Sequence, residues 1–501
     1  MSAREALDIL QRLHALGAEL RGMSSDSRAL QGGDLFAAWE GARVDGRRYI
    51  DAAVRGGAAA VVWDDAGGFQ VGPLAVPGLP VSGLKELAGH LADAVFDRPS
   101  GKLWVAGVTG TNGKTTVSQW VAAALSELGE CCGIVGTLGT GFPGALEEAL
   151  NTTPGAIELH RSLASFVAQS ATGVAMEVSS IGIEEGRVNG VAFDVAIFTN
   201  LSRDHLDYHG SMAAYGAAKA RLFDMQALGH AVVNIDDAFG LELASRLAAQ
   251  GPELIAYTRT DLMPGGLGEG RMLRARNVRM SPSGLKFSVE WRGERGELDV
   301  GLVAPFNVSN LLAVIGALLA RGVALEDAMR VAAHLRPPAG RMQVVGGVCE
   351  PLVVIDYAHT PDALAKVLEA LRPTTAMRGG SLVCVFGCGG DRDPGKRPLM
   401  GEVADALADR LIVTSDNPRS EEPQRIVEAV LAGAPRAEAV VDRAEAIFRA
   451  VGEAGADDVV VLAGKGHEPY QEIHGQRLPF SDIEQARAAL AAWHRHQGES
   501  R

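Results

Sequence analysis

Cysteine is scarce in this sequence, and its spacing suits neither a disulfide framework nor a metal site. The 501 residues include five cysteines, Cys131, Cys132, Cys349, Cys384 and Cys388. Cys384 and Cys388 are too far apart for a C-x-x-C motif, and an odd, sparse set is typical of reduced thiols in the cytosol. We therefore expect a cytoplasmic protein with no cysteine-bound metal.

Long apolar runs and an excess of positive charge are also missing. No uninterrupted apolar run approaches the length of a membrane span, and the first 17 residues mix charges in an amphipathic pattern unlike a signal peptide. The formal net charge of −14 argues against a general binder of nucleic acid or anionic membranes. We expect small-molecule substrates, no nucleic-acid partner, no membrane span and a monomer.

The length and composition predict several well-packed α/β domains. A chain of 501 residues with 47% hydrophobic and 22% charged residues suggests roughly three domains with ample core. Turn-rich segments at 97–100 and 337–340 mark two boundaries. The predicted domains are 1–98, 99–337 and 338–501.

Each domain has its own hydrophobic pattern. The small N-terminal α/β domain starts with a helix whose predicted apolar stripe is Leu7, Leu10, Leu13 and Leu16. The central domain alternates helices with short apolar runs suited to a buried parallel sheet, and then changes to antiparallel alternation around 271–291. The C-terminal domain alternates strands and helices as a Rossmann-like sheet does.

A glycine-rich turn in the central domain predicts a phosphate-binding loop. Gly110-Thr111-Asn112-Gly113-Lys114-Thr115-Thr116 lies between an apolar strand and a helical run. Backbone N–H groups of such a turn can surround phosphate oxygens, and the helix N-terminus adds positive potential. Lys114 would reach the terminal phosphates and Thr115 would bind Mg²⁺, although Val108 stands where the strict consensus has glycine. A purely structural glycine turn is the alternative.

Acidic and imidazole side chains follow the next strands. Glu177 ends an apolar run, where a carboxylate beside a phosphate loop suits Mg²⁺; a helix cap or an ion pair is the alternative. The loop 200–210 holds two His and two Asp, His205 among them, and we favour a metal and phosphate role over a polar surface loop. By pattern alone, Lys219 is a solvated helical lysine.

Three loops of the C-terminal domain follow predicted strands, at 387–393, 415–419 and 464–468. Because the carboxyl ends of parallel strands share one edge, these loops should converge on one crevice. Arg392 and Arg419 suit carboxylates, whereas Asp416 and Glu468 suit ammonium groups. This combination favours a zwitterionic amino acid, and an internal ion-pair network is the alternative.

Specific sequence motifs run along the whole chain. They are 110–116, Glu177-Val178-Ser179-Ser180, 200–210, Phe306-Asn307-Val308-Ser309-Asn310, Gly340-Arg341-Met342, Asp356-Tyr357-Ala358-His359-Thr360-Pro361, 416–419 and 464–468. In combination they resemble the Mur ligase family, the ATP-dependent amide-bond ligases of peptidoglycan precursor synthesis. The chain departs from many members at Ile181 and Gln343, where His and Glu are common. Asp416-Asn417-Pro418-Arg419 resembles the form that goes with meso-diaminopimelate rather than L-lysine.

The resemblance implies a role for each domain. The N-terminal domain would bind the UDP part of a UDP-muramyl dipeptide, the central P-loop domain would bind ATP, and the C-terminal domain would bind the amino acid. The implied muramyl-substrate residues are Ser25, Ser27, Ala42, Arg43, Val44, Asn151, Thr152, Thr153, Ser179, Glu185 and Arg187. The implied nucleotide contacts beyond the phosphate loop are Asn310, Arg341 and Asp356. The implied diaminopimelate residues are Arg392, Asp416, Asn417, Pro418, Arg419, Gly464 and Glu468.

The resemblance also implies the catalytic chemistry. Lys114, Glu177, His205 and Lys219 would be catalytic, with Thr115, Glu177, His205 and a carbamylated Lys219 serving Mg²⁺. ATP would convert a substrate carboxylate to an acyl phosphate, which the amine then attacks. A ligase for L-lysine or another diamine, a folylpolyglutamate-synthetase-like enzyme and a P-loop ATPase switch remain alternatives.

Overall fold

In the computed structural model, the protein is described at residues 2–41, 44–149, 151–249, 251–261, 265–281 and 284–499. It divides into two compact units, Met1–Leu273 with Leu312–Val331, and Arg274–Leu311 with Ala332–Arg501. Both are α/β and contain parallel sheets, as the sequence predicted. Division into three domains stays a prediction. Within the ranges described, no helix is both long enough and apolar enough to cross a bilayer.

The first unit begins with a small four-stranded parallel sheet in the order β1-β2-β3-β4. Its elements are α1 Ala3–Ala15, β1 Gly22–Ser24, β2 Asp34–Ala38, α2 Ile50–Arg55, β3 Ala60–Asp64, β4 Gly78–Val81 and α3 Leu84–Val95. The predicted stripe of α1 is confirmed at Leu13, which is buried, and at Leu10, which packs against the core, but it is wrong at Leu16. Its buried face is Ala6, Ile9 and Leu13, and Leu16 is exposed because the helix ends before it.

The same unit then builds a larger sheet around the phosphate loop. Its elements are β5 Trp104–Thr109, α4 Lys114–Glu127, β6 Cys132–Gly136, β7 Gly139–Phe142, β8 Ala145–Glu147, α5 Ala156–Ala168, β9 Gly173–Glu177, α6 Ser180–Glu184, β10 Val195–Phe198, α7 Leu206–His209, α8 Met212–Ala220, β11 His230–Asn234, α9 Ala238–Ala249 and β12 Glu253–Thr258. The strand order is β12-β11-β10-β5-β9-β6-β7-β8. Strands β10, β5 and β9 are parallel neighbours, so their carboxyl ends meet.

The chain continues through an antiparallel meander and two helices. These elements are β13 Met272–Ser281, β14 Gly284–Trp291, β15 Glu294–Val300, α10 Phe306–Ala320 and α11 Leu325–Ala332. Leu285 pairs with Val300 and Trp291 with Glu294, which confirms the antiparallel alternation predicted there.

The remainder of the second unit is built around a doubly wound sheet in the order β16-β17-β21-β18-β19-β20, and β22 and β23 form a separate antiparallel pair. Its elements are β16 Gln343–Gly346, β17 Leu352–Asp356, α12 Pro361–Arg378, β18 Leu382–Phe386, α13 Lys396–Leu407, β19 Arg410–Val413, α14 Pro423–Leu431, β20 Glu438–Ala439, α15 Arg443–Gly452, β21 Val459–Ala463, β22 Tyr470–Ile473, β23 Gln476–Pro479 and α16 Asp482–Glu499. Strand β21 lies between β17 and β18 and is parallel to both. The loops after β18, β19 and β21 therefore leave the same edge of the sheet.

Candidate active site

Two glycines shape the turn between β5 and α4. Gly113 has a φ of +87° and begins α4 without a side-chain cap, which leaves a helix N-terminus open to an anion. Gly110 has a φ of +148°, and a Cβ there would lie 1.9 Å from the Thr199 hydroxyl oxygen. Only glycine fits this approach, so the sequence of the turn is constrained at Gly110 by its contact with Thr199.

The turn is held from one side by Asn200, which follows β10. The Asn200 backbone oxygen accepts from Thr111 N at 2.8 Å, and its Oδ1 accepts from Asn112 N at 3.0 Å. Its Nδ2 donates to Asn112 O at 3.0 Å. The start of the loop 200–210 is thus tied directly to the phosphate loop.

Two lysines share one backbone oxygen at the start of the turn. Lys114 Nζ and Lys219 Nζ each lie 2.9 Å from Gly110 O. Lys219 is 1% exposed, and its Nζ lies 4.3 Å from the centre of the Tyr215 ring. Burial, with a smaller contribution from the Lys114 charge, holds the pKa of Lys219 well below its usual range. The solvated lysine suggested by pattern alone is wrong, because Lys219 is buried beside the phosphate loop.

Glu177 lies at the centre of a hydroxyl-lined cluster. Its Oε2 accepts from the hydroxyls of Thr115 at 3.0 Å and Thr137 at 3.1 Å, and its Oε1 accepts from Thr137 N at 2.8 Å. It is 1% exposed. No group of three or more potential ligands among His, Cys, Asp and Glu occurs in the ranges described. One carboxylate with a threonine hydroxyl beside a phosphate loop fits Mg²⁺, which is usually completed by phosphate oxygens and water.

His205 lies on another side of the turn. It has a φ of +51°, its Nε2 is 3.5 Å from Asp204 Oδ2, and its ring centre is 6.2 Å from that of Tyr215. No hydrogen bond joins it to Glu177 in the described part of the chain. His205 therefore lies on the Tyr215 side of the turn.

A second polar chain extends from Glu177 through the segment 151–153. Thr153 Oγ1 donates to Glu177 O and accepts from Ser179 N, each at 3.0 Å. Arg187 Nη1 donates to Thr153 O at 2.8 Å, and its Nε donates to Glu185 at 2.8 Å. Thr152 contacts Thr137 hydroxyl to hydroxyl at 3.0 Å, and Asn151 beside it is exposed. These predicted substrate residues thus adjoin the phosphate-loop cluster.

The predicted UDP contacts lie in the small sheet. Ser25 and Ser27 are half-buried in the turn after β1, and Val44 is exposed. Ala42 and Arg43 lie outside the described residues. No hydrogen bond joins Ser25 or Ser27 to the phosphate-loop cluster within the residues that the structure describes.

In the second unit, Asp356 ends β17 and is buried. Its Oδ2 accepts from Met342 N at 2.8 Å and its Oδ1 from Ala358 N at 2.9 Å, and burial raises its pKa. The Arg341 guanidinium lies 4.5 Å from the centre of the Tyr357 ring. Arg341 and Asp356 are therefore neighbours through the backbone of Met342.

Asn310 and Gln343 have separate surroundings. Asn310 Nδ2 donates to Asn307 Oδ1 at 3.0 Å inside α10, so the structure does not join Asn310 to Asp356 by a hydrogen bond among the described residues. Gln343 Oε1 accepts from Gly340 N at 2.9 Å. Since an amide oxygen accepts as a carboxylate does, the departure from the usual glutamate keeps this acceptor in place.

The loops after β19 and β21 interlock. Asn417 Nδ2 donates to Glu468 Oε2 at 2.7 Å, and Lys465 Nζ donates to both Asn417 Oδ1 and Glu468 Oε2 at 3.0 Å. A Cβ on Gly464 would lie 2.8 Å from Asp416 Oδ2, so glycine permits the close approach. The predicted convergence of these loops is confirmed.

The loop after β18 approaches the same cluster. Arg419 Nη1 donates to Gly390 O at 2.7 Å, and its Nε is 3.5 Å from Glu472 Oε2. Arg392 is exposed and lies in this loop beside Gly389. Part of the cluster is thus an internal ion-pair network, which was the alternative to an amino-acid site. Arg392 is not part of this ion pair and stays exposed to solvent.

Three residues that sequence patterns do not predict contact the candidate site residues. Tyr215 precedes Lys219 by four residues, a helical spacing that could have revealed the pair. Lys465 lies inside the glycine-rich 464–468 loop, where sequence alone does not distinguish a buried lysine from an exposed one. Thr137 gave no signal, because its contacts with Glu177 depend on the end of a neighbouring strand.

Three family models match successive parts of the chain. The description "Mur ligase family, catalytic domain" matches residues 19–95, "Mur ligase middle domain" matches 108–318, and "Mur ligase, glutamate ligase domain" matches 340–466. The matched regions together cover most of the sequence.

Full-length relatives carry one name. The UDP-N-acetylmuramoyl-L-alanyl-D-glutamate–2,6-diaminopimelate ligases of Pseudomonas aeruginosa and Ralstonia nicotianae are each 51% identical to this chain. The first match covers 95% of this chain and 96% of the relative, and the second covers 97% and 95%.

Solved structures agree with these matches. A structure of a ligase with that same name is 36% identical, has a TM-score of 0.68 and covers 95% of each chain. The MurF ligase of Thermotoga maritima, solved with ADP, is 17% identical with a TM-score of 0.65, covering 96% of this chain and 99% of that one. At that identity the second likeness shows the fold alone.

Proposed function

This chain belongs to the Mur ligase family, and we propose that it adds meso-2,6-diaminopimelate to UDP-N-acetylmuramoyl-L-alanyl-D-glutamate at the expense of ATP. The reaction forms an amide at the γ-carboxylate of D-glutamate, in peptidoglycan precursor synthesis. The observation that carries this proposal is 51% identity over nearly the whole length of ligases with that name. We assign the enzyme to the cytoplasm and expect it to act as a monomer.

The chemistry requires that a carboxylate be activated before an amine attacks it. One carboxylate oxygen takes the γ-phosphoryl group of ATP, and ADP leaves. The neutral amine of diaminopimelate adds to the resulting acyl phosphate, and the tetrahedral intermediate expels phosphate. Lys114 and the N-terminus of α4, beside Gly113, supply positive potential where negative charge develops on the transferring group.

Mg²⁺ suits the donors around the phosphate loop. Thr115 and Glu177 would hold one ion, with His205 contributing directly or through water. When bound, the ion neutralises charge on the phosphate oxygens. The hydroxyl of Thr137 and its N–H fix the Glu177 carboxylate in position for that contact.

Lys219 is suited to become a carbamate. A neutral amine, unlike an ammonium group, can add to carbon dioxide through its lone pair, and the buried environment favours the neutral form. The product is an acid-like side chain that would serve a second Mg²⁺. The shared contact with Gly110 O keeps the Lys219 nitrogen beside the phosphate loop.

Substrate positions follow the remaining clusters. Ser25, Ser27 and the segment 42–44 would hold the UDP group, and the residues around Thr153 would hold the sugar and peptide arm, namely Asn151, Thr152, Thr153, Ser179, Glu185 and Arg187. Asn310, Arg341 and Asp356 would contact the nucleotide, with Asp356 on the ribose hydroxyls. Diaminopimelate would bind at the interlocked loops, through Arg392, Asp416, Asn417, Pro418, Arg419, Gly464 and Glu468.

A ligation assay tests the proposal. With ATP and the UDP-muramyl dipeptide as acceptor, we expect ADP and phosphate to form only when a diamine is also present. Diaminopimelate should be strongly preferred over L-lysine and L-ornithine, because its second carboxylate matches Arg419. ATP hydrolysis indifferent to both substrates would refute ligase activity, and a preference for lysine would refute the assigned amino acid.

A further inference from the structure

Lys465 is a completely buried cation between the loops that would bind the amino acid. Its side chain is 0% exposed, whereas that of Glu468 is 20% exposed. Its Nζ lies 3.0 Å from Asn417 Oδ1 and 3.0 Å from Glu468 Oε2. Because a buried ammonium is costly unless it is paired, these two acceptors are what keep the lysine in this position.

The three side chains form a closed ring of hydrogen bonds. Asn417 Nδ2 donates to Glu468 Oε2 at 2.7 Å, the same oxygen that accepts from Lys465. Asn417 Oδ1 also accepts from Glu472 N at 3.0 Å. A backbone N–H and an ammonium both only donate, so the amide oxygen of Asn417 must face them. Its NH₂ group is therefore aimed at Glu468.

The ring leaves one side of the Glu468 carboxylate for another partner. Oε2 is occupied by two donors, and Oε1 accepts no hydrogen bond from the residues described. Two donors on one oxygen fix the rotation of the carboxylate. The free oxygen is thus presented in a set direction by a side chain that is partly open to solvent.

We propose that Lys465 is a positioning residue for the amino-acid substrate, holding Asn417 and Glu468 so that Glu468 can receive a substrate ammonium group. This inference rests on the proposed function and extends it to a residue that does not itself touch the substrate. Without the buried ammonium, Glu468 loses a charge-assisted hydrogen bond and can turn toward solvent, and Asn417 loses a partner of its amide oxygen.

The experiment compares full-length Lys465→Met, Lys465→Gln and wild-type enzymes. Lys366→Met is the matched control, since Lys366 makes an exposed ion pair with Asp362 in the same unit. Diaminopimelate is varied at saturating ATP and UDP-muramyl dipeptide, and each other substrate is then varied in turn. Thermal unfolding of every variant is measured alongside.

We expect Lys465→Met to raise the KM for diaminopimelate by about 10- to 100-fold, the range for one hydrogen bond to a charged group. The KM values for ATP and the muramyl substrate should stay within about twofold, and kcat should fall by less than the KM rises. Lys465→Gln keeps a neutral donor and should give an intermediate KM. Lys366→Met should match the wild type.

Two results would overturn the inference: an unchanged KM for diaminopimelate, or an equal rise in all three KM values, which a general distortion of the active site produces. Should Lys465→Met fail to fold, the KM of Lys465→Gln decides by the same criterion. If the wild type itself forms no ADP in response to diaminopimelate, the proposed function fails instead, so the two failures are distinguishable.

Discussion

At the scale of single residues, environment decides what a lysine can do. Lys114 begins a helix that follows a recognisable turn, so a phosphate role could be proposed for it from sequence. Lys219 lies on α8, a helix rich in alanine, and the pattern around it suggests a solvated side chain. Its burial comes from Tyr215 and the phosphate loop, which only the folded chain brings together.

Replacing Lys219 should therefore be far more harmful than its helical position suggests. We expect Lys219→Met to reduce ligation at least about a hundredfold, because the group that would become a charged ligand beside the phosphates is lost. Methionine fills similar buried volume, so thermal unfolding should change little. The measurement is the rate of ADP formation with all three substrates present.

Lys102→Met is the control for that variant. Lys102 is half-exposed and pairs with Asp97 at the surface of the same unit, so its loss should leave the rate within about twofold. A Lys219→Met enzyme with wild-type activity would contradict the assignment of Lys219.

At the scale of elements, sequence periodicity predicted where the strands lie better than it predicted which strands pair with one another. The apolar runs at β5, β9, β10 and β11 were recognisable because strands buried on both faces are continuously apolar. The short hairpin of β7 and β8 was not predicted, since its residues include Gly139 and Gly141 and few apolar side chains. Strand order, with β21 between β17 and β18, depends on long-range pairing that no local pattern contains.

The backbone of Gly340 packs closely against the 464–468 loop, and the turn before β16 depends on this contact. Gly340 has a φ of +65°, and a Cβ there would lie 2.1 Å from His467 N. Gly340→Ala should push the turn before β16 away from the 464–468 loop and lower the free energy of unfolding by about 3 kcal/mol. Urea unfolding measures this change.

Gly379→Ala is the control for Gly340→Ala, because it introduces left-handed backbone strain without a steric clash. Gly379 has a φ of +77° at the end of α12, but a Cβ there meets nothing within 4 Å. Its replacement should cost only the left-handed strain, about 1 kcal/mol. Equal losses in the two variants would mean that contact with the 464–468 loop contributes nothing.

The buried pair of Arg443 and Asp482 joins α15 to α16. Both side chains are 0% exposed, with Nη2 2.7 Å from Oδ2 and Nε 2.8 Å from Oδ1. Arg443→Met should lower the free energy of unfolding by about 3 to 5 kcal/mol, since Asp482 is left buried and unpaired. Arg443→Met with Asp482→Asn should recover part of that loss in urea unfolding. A double variant less stable than the single one would contradict this account.

At the scale of the whole molecule, one of the contacts between the small-sheet part and the central-sheet part of the first unit carries two titratable groups. His160 of α5 donates from Nε2 to Asn189 O at 2.9 Å, because a carbonyl only accepts. The neutral ring then turns its unprotonated Nδ1 toward Asp93 Oδ1 of α3, 3.7 Å away. Two acceptors face each other unless a proton lies between them.

Asp93 and His160 have opposite effects on how the free energy of unfolding changes with pH. Burial raises the pKa of Asp93 to about 6 from its usual 3.8 and lowers the pKa of His160 to about 4 from 6.5. Near pH 5 the unfolded chain carries this proton on the histidine and the folded chain carries it on the aspartate. The number of bound protons barely changes, so the pair adds little pH dependence between about pH 4 and 6.

Replacing either residue alone should reveal how the other makes the free energy of unfolding depend on pH, and the two dependences should have opposite signs. In Asp93→Asn, only His160 remains; its folded pKa is below its unfolded value, so stability should rise as pH increases from about 4 to 6.5. In His160→Gln, only Asp93 remains; its folded pKa is above its unfolded value, so stability should fall from about pH 4 to 6. Urea unfolding across this range measures both slopes. His90 and Arg98, the nearby charged groups, are present in every variant, so they do not distinguish the two. If the free energy of unfolding changed with pH in the same way in both variants, no proton would be exchanged between His160 and Asp93 on folding.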